Sequence, residues 1–208
     1  MNIKKYGITT IFIYASCFLL PSFFPGKSAI WATIFFYLVG ALLLLIVYLK
    51  SEKSFRFEQQ PKNWRIILLW GVLGIFIAIF SQNIVMQIET MYLGEVADSQ
   101  NTDMIVKLVK SNLLFSLAVS IGGPIMEEFV FRRALTGLLQ QISPLWFSVA
   151  VSSLLFALMH LDGHILLYMS LGIIFSLLYI KTGRIWTSII SHIGMNTLVV
   201  LASILVKH

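Results

Sequence analysis

Charge is what this sequence has least of. Asp, Glu, Lys and Arg make up 12% of its 208 residues, where an ordinary soluble domain carries about 25%. Apolar residues fill the gap at 58%, and the mean hydropathy is +0.89. That composition excludes a soluble globular domain; the length fits one membrane domain, 1–208, with no appended soluble module. Cysteine is nearly absent too. The one thiol, Cys17, lies in an apolar run, cannot close an intrachain disulfide, and cannot build a zinc site alone. The HExxH pattern is missing, so no helix offers a ready-made pair of zinc-binding histidines. There is no internal repeat and no low-complexity tract. The charge that is present is lopsided, at +6 net. With no soluble basic face to carry it, nucleic-acid binding is not expected; lysines and arginines of membrane proteins gather in cytoplasmic loops.

What is present is a series of apolar runs near the ~20 residues that cross a ~30 Å hydrocarbon core. They cover 6–24, 28–49, 66–88, 112–139, 144–160, 165–180 and 185–206. The expected fold is all-α: a polytopic membrane bundle of about seven helices, within a range of six to eight, around a polar intramembrane cavity. Residues 1–111 hold spans one to three and a loop, and 112–206 the remaining helices. "MIVKLVKS", 104–111, reads as a short interfacial helix. The first run has a basic start, as a signal peptide would, but its core is long and its cleavage pattern poor, so it reads as a retained anchor. Lys4 and Lys5, then Lys50, Lys53, Arg56, Lys62 and Arg65, then Lys181 and Arg184 fall on one side of a seven-span chain. That puts the N-terminus in the cytoplasm and the C-terminus and the acidic 89–103 loop outside, with Lys107 and Lys110 on the wrong side and partly offsetting the bias.

Polar groups inside such spans are costly, about 2.5–3.5 kcal/mol for a charge at the bilayer centre, and three clusters occur. In "EEFVFRR", Glu128 and Arg132 are four apart and share a helix face as an ion pair. Glu127 is rotated by about 100° from Glu128 and lacks an evident local partner, which is the setting of a general base or acid. Gly122, Gly123 and Pro124 precede it, so the helix kinks or starts afresh there. In "FALMH", Phe156 and His160 share a face. His164 is four residues further on, but Asp162-Gly163 reads as a turn that spoils a helical metal pair. In "SHIGMN", His192 and Asn196 point one way and suit hydrogen bonds to a developing oxyanion. Each cluster alone also reads as a bundle staple or interhelical glue. Together they supply a base, an imidazole and an amide, as peptide hydrolysis needs. Depth counted from the helix ends at about 1.5 Å per residue puts Glu127 and His160 roughly 20–25 Å in and His192 roughly 10–15 Å in, a mismatch that tilt or an interfacial 132–140 segment would remove.

"EEFVFR", "FALMH" and "HIGMN" match EExxxR, FxxxH and HxxxN in order. Over about 112–206 the chain resembles the CAAX-protease and bacteriocin-processing family of intramembrane proteases, also called Abi or CPBP. The resemblance implies helices around a conical, water-filled cavity. It implies that Glu127 is the catalytic glutamate, that His160 helps it activate water, and that His192 and Asn196 stabilise the oxyanion. Glu128, Arg132 and Phe156 are the implied supporting residues. Arg133 departs from the pattern, where the family often has a small residue, and needs a partner or snorkelling room. The implied activity is an intramembrane endopeptidase acting on a membrane-associated peptide or protein, in bacteriocin immunity or peptide maturation, in a bacterial cell membrane. No cofactor is firmly implied. The family's description as metalloprotease keeps zinc open, held by His160, His192 and Glu127 or Glu128. A second function class also stays open: a non-proteolytic immunity or regulatory protein that binds a bacteriocin, receptor or sensor kinase, with the acidic loop as a docking face. A proton-coupled transporter is weaker, for want of a repeat or paired broken helices.

Overall fold

The computed structural model describes residues 1–52, 55–93 and 100–206. Every regular element among them is helical: α1 (Ile3–Leu19, extended by a 3-10 turn Leu20–Phe23), α2 (Lys27–Leu49), α3 (Trp64–Leu93), α4 (Gln100–Ser111), α5 (115–139), α6 (Leu145–Leu158), α7 (Ile165–Thr182) and α8 (Trp186–Val206). In lipid each backbone polar group must be satisfied within the chain, and helices do this segment by segment. Among the described residues five stretches are long and apolar enough to cross a membrane: Ile3–Phe23, Lys27–Leu49, Trp64–Tyr92, Ile165–Thr182 and Trp186–Leu205. Large side chains such as Phe12, Phe35, Phe80 and Leu205 are more than half exposed on their outer faces, which suits acyl chains and would not suit water.

All seven expected runs are helical, with two corrections. The fifth does not extend to His160. α6 has 14 residues, about 21 Å at 1.5 Å per residue, and falls short of the ~30 Å core. The polar stretch after the third run is partly helix, because α3 continues to Leu93 and α4 begins at Gln100. The centre of the acidic loop, 94–99, lies outside the described residues, as does Lys53.

One end of the bundle is tied together by backbone contacts. The Met1 amino group donates to the Lys50 carbonyl at 3.0 Å, and the Glu52 amide donates to the Met1 carbonyl at 3.0 Å. The Lys62 amide donates to the Thr182 carbonyl at 2.8 Å. The N-terminus, the 50–62 loop and the α7–α8 turn therefore meet there. Gly183 ends α7 with φ +67°, and its amide closes on the Tyr179 carbonyl at 2.8 Å. That left-handed cap is glycine's usual place. α4 lies at the opposite end, against α8 and the start of α5.

Candidate active site

α5 positions the first motif, and it is not a regular α-helix. Two π-helical segments, Ala118–Gly122 and Glu128–Leu135, interrupt it. The first comes just before Pro124. A proline lacks the amide of the regular ladder and crowds the carbonyl four residues back; a wider turn relieves both. The helix neither breaks nor restarts at Pro124, which settles the alternative the sequence left open. Gly122 lets α2 approach: a Cβ there would stand 3.1 Å from the Tyr37 backbone carbonyl.

Widened turns offer carbonyls to side chains. Val119 receives the Asn196 amide at 3.3 Å, and Phe129 receives the Tyr6 hydroxyl at 3.4 Å. Phe131 receives the hydroxyls of Thr136, at 2.9 Å, and of Ser152. The second π segment thus locks α5 to α1 and α6.

The two adjacent glutamates have different surroundings. Glu128 is fully buried. Its Oε1 lies 3.3 Å from Arg132 Nη2 and 2.9 Å from His192 Nδ1. Arg132 lies over the Phe156 ring at 4.3 Å, so the phenylalanine of the second motif supports the arginine of the first. Glu127 keeps 22% of its side chain exposed, and its Oε2 lies 3.7 Å from His192 Nε2. It faces a cavity of about 790 Å³, which His160, His192 and Asn196 also line. The other walls include Tyr14, Tyr37 and Met195, with Asp103, Met104, Ile105 and Leu108 of α4 near one end. Glu128 and Arg132 pack behind it. Helix-end counting put His192 well short of Glu127 in depth, yet their side chains meet. Counting residues from helix ends assumes regular, upright helices, and α5 is neither uniform nor exposed at its last turns, where Gly137 packs on Ile3 of α1.

Hydrogen-bond partners fix both imidazole orientations. His160 Nδ1 lies 2.9 Å from the Phe156 carbonyl, and His192 Nδ1 lies 2.9 Å from a Glu128 oxygen. Both partners accept, so Nδ1 carries the hydrogen in each ring, and in the neutral ring Nε2 is an acceptor. His192 is held further by Phe175, stacked at 4.6 Å and 20°. Asn196 uses one N–H on Val119 and has a second to offer.

Three residues of this region carry no motif. Phe175 shares an α7 face with Leu171 and Tyr179 and reads in the sequence as ordinary core. Glu89 meets His164 Nδ1 at 2.8 Å; the sequence places it at the start of the acidic 89–103 loop, whereas α3 continues past it and buries it. Tyr168 stacks on His160 at 3.7 Å. His164 thus faces α3 and forms no helical pair with His160. Arg133, unassigned from sequence, does not snorkel. Its Nε lies 2.9 Å from Glu58 Oε1, its Nη2 donates to the Glu52 carbonyl at 2.7 Å, and its guanidinium lies 4.4 Å from the Tyr6 ring and 4.9 Å from the Tyr48 ring.

Among the described residues no group of three or more His, Cys, Asp or Glu stands together as a metal site. Glu128 is engaged by Arg132 and His192, and each histidine uses Nδ1 on a carbonyl or carboxylate and keeps Nε2 as its acceptor. His160 and His192 are imidazoles that line the cavity, with Glu127 a carboxylate beside them.

Residues 109–198 match the family described as type II CAAX prenyl endopeptidase Rce1-like, a span that holds Glu127, His160, His192 and Asn196. The chain is 35% identical over 175 residues to the Putative membrane peptidase YdiL of Bacillus subtilis, covering 84% of this chain and 71% of that protein. It is 31% identical over 189 residues to the Membrane-embedded CAAX protease MroQ of Staphylococcus aureus, covering 86% of this chain and 76% of that protein. No solved structure matches it.

Proposed function

The chain belongs to the CAAX-protease family of membrane peptidases, and from that premise we propose that it hydrolyses a peptide bond of a membrane-associated peptide or protein with water activated by Glu127. The observation that carries the reading is the unequal treatment of the two glutamates: Glu128 is neutralised behind the wall, while Glu127 faces the cavity beside His192.

In this reading a water sits between Glu127 and Nε2 of His160. It gives a proton to Glu127, and its oxygen attacks the scissile carbonyl carbon. The carbonyl π bond breaks, and the oxyanion takes the free N–H of Asn196. His192 donates from Nε2 only once that nitrogen has gained a proton, and Glu127, 3.7 Å away, is the group beside it that holds one. Collapse of the tetrahedral intermediate breaks the C–N bond, and the same proton leaves on the amine. The products are a new carboxyl end and a new amine end. One oxyanion donor is worth about 10²–10³ in rate in a known protease.

No step is routed through a metal. Under the rival zinc version His160, His192 and a carboxylate would hold the ion and supply a polarised water. The biological setting we infer is peptide maturation or bacteriocin immunity in a bacterial cell membrane, with the N-terminus cytoplasmic and the C-terminus outside. The test is mass spectrometry of membrane peptides from cells expressing wild-type or Glu127→Gln protein. Cleavages lost in the variant, at equal insertion, support the reading and name the substrate; an unchanged peptide population overturns it. Repeating the assay on pure protein after complete chelation should leave cleavage intact, and loss of cleavage restored by zinc would favour the rival.

A further inference from the structure

His160 is carried not by a helix but by the turn that follows α6. The chain there bends sharply. Leu161 takes φ 54° although it is not glycine, and Gly163 follows at 86°. A bulky residue seldom occupies that region unless its surroundings impose it. Asp162 supplies one constraint. Its Oδ1 accepts the His164 amide at 3.3 Å, and its Oδ2 accepts the Tyr168 hydroxyl at 2.8 Å. Glu89 of α3 supplies another, through His164 Nδ1 at 2.8 Å and the Leu167 amide at 3.3 Å. The turn is therefore fastened both to the first turn of α7 and across to α3.

Tyr168 links this fastening to the cavity. While its hydroxyl is held by Asp162, its ring lies against the His160 imidazole, with centroids 3.7 Å apart and planes 21° apart. Phe156 meets the same imidazole nearly edge-on, at 4.7 Å and 70°, and takes its Nδ1 on the backbone carbonyl. One face, one edge and one nitrogen of His160 are thus fixed, and Nε2 is left for the cavity. The first-turn tyrosine and the aspartate lie outside all three motifs.

We propose that Tyr168 is a positioning residue for hydrolysis: its ring, oriented by Asp162, holds His160 with Nε2 turned toward the water that Glu127 deprotonates. The proposal rests on the glutamate-hydrolysis reading and adds to it the group that sets the imidazole's direction. A near-attack arrangement tolerates little displacement, and a misplacement of about 1 Å can cost about 10²-fold in rate.

The chain has four histidines, at 160, 164, 192 and 208, so their ring carbons and protons are countable by NMR. The full chain labelled with 13C-histidine, in detergent micelles, is the probe, with His160 assigned through His160→Gln. In Tyr168→Leu the His160 Hε1 resonance moves downfield, because the shielding ring is gone, while His192 stays in place. Glu127-dependent cleavage in the membrane peptide assay falls about 10²-fold. Tyr168→Phe restores the ring without the hydroxyl, keeps most of the shielding, and loses less activity; Asp162→Asn behaves as Tyr168→Phe does. A His160 resonance unmoved in Tyr168→Leu overturns the proposal, and so does a moved resonance with undiminished cleavage. If Glu127→Gln leaves all cleavage intact, the hydrolytic reading fails and takes the positioning role with it, a failure told apart by the resonance, which reports the stacking without any substrate.

Discussion

At the scale of residues, two neighbouring carboxylates show how burial and partners divide labour. Glu128 has Arg132 and His192 against it and no exposed side-chain surface. Removing it leaves the Arg132 guanidinium buried without its counter-charge, and breaking a buried pair in this way costs about 3–5 kcal/mol. Glu128→Ala should therefore lower the thermal midpoint of the detergent-solubilised protein markedly, and Glu127→Gln should leave it nearly unchanged. Equal midpoints for the two variants would refute the division. The sequence made the Glu128–Arg132 pair legible, because a four-residue spacing is a local fact about helices. It made the partnership of His192 with Glu128 illegible, because that contact joins positions 64 residues apart and depends on how helices tilt. Glu89, Phe175 and Tyr168 were hidden for the same reason: each earns its place through a residue on another element.

At the scale of elements, the helices were readable and their irregularities were not. A membrane span announces itself by length and hydropathy, whereas a π turn differs from an α turn by one residue and leaves the apolar pattern almost intact. The second π segment carries Glu128, Arg132 and Arg133, and the neighbouring arginines, pointing in different directions round the helix, serve different partners. Arg132 pairs beside the cavity, and Arg133 reaches the 55–58 turn. There Glu58 accepts from Arg133, from the Phe55 amide at 3.1 Å and from the Tyr179 hydroxyl. This cluster fastens the loop between α2 and α3 to the end of the bundle where the N-terminus and the α7–α8 turn meet. Arg133→Met and Glu58→Gln should each destabilise the protein, and the double variant should cost less than the two losses added, since contacting residues couple by about 0.5–3 kcal/mol. Strict additivity in denaturation midpoints would show that the two side chains act separately. Cleavage by the folded fraction should persist in all three, because none of these groups lines the cavity.

At the scale of the whole molecule, the two ends of the bundle differ. One gathers the N-terminus, the 50–62 loop and the α7–α8 turn around the Arg133–Glu58 cluster; the other carries α4 and the end of α8. The cavity extends toward the second end, where Asp103 and Leu108 of α4 and Ser203 of α8 line it. The orientation of the chain therefore decides from which side of the membrane a peptide reaches Glu127. Basic residues concentrate at the first end, among them Lys4, Lys5, Lys62 and Arg65, and such residues favour the cytoplasm. The single native thiol, Cys17, is buried at 5% exposure, so a Cys17→Ala background is a small change. On it, Gln60→Cys should react with a membrane-impermeant maleimide only after the cells are permeabilised, whereas Leu113→Cys, at a site 72% exposed, should react in intact cells. The opposite labelling pattern would invert the chain and put the mouth of the cavity on the cytoplasmic side. The geometry around Glu127 would stand in either case, but the pool of peptides able to reach it would be a different one.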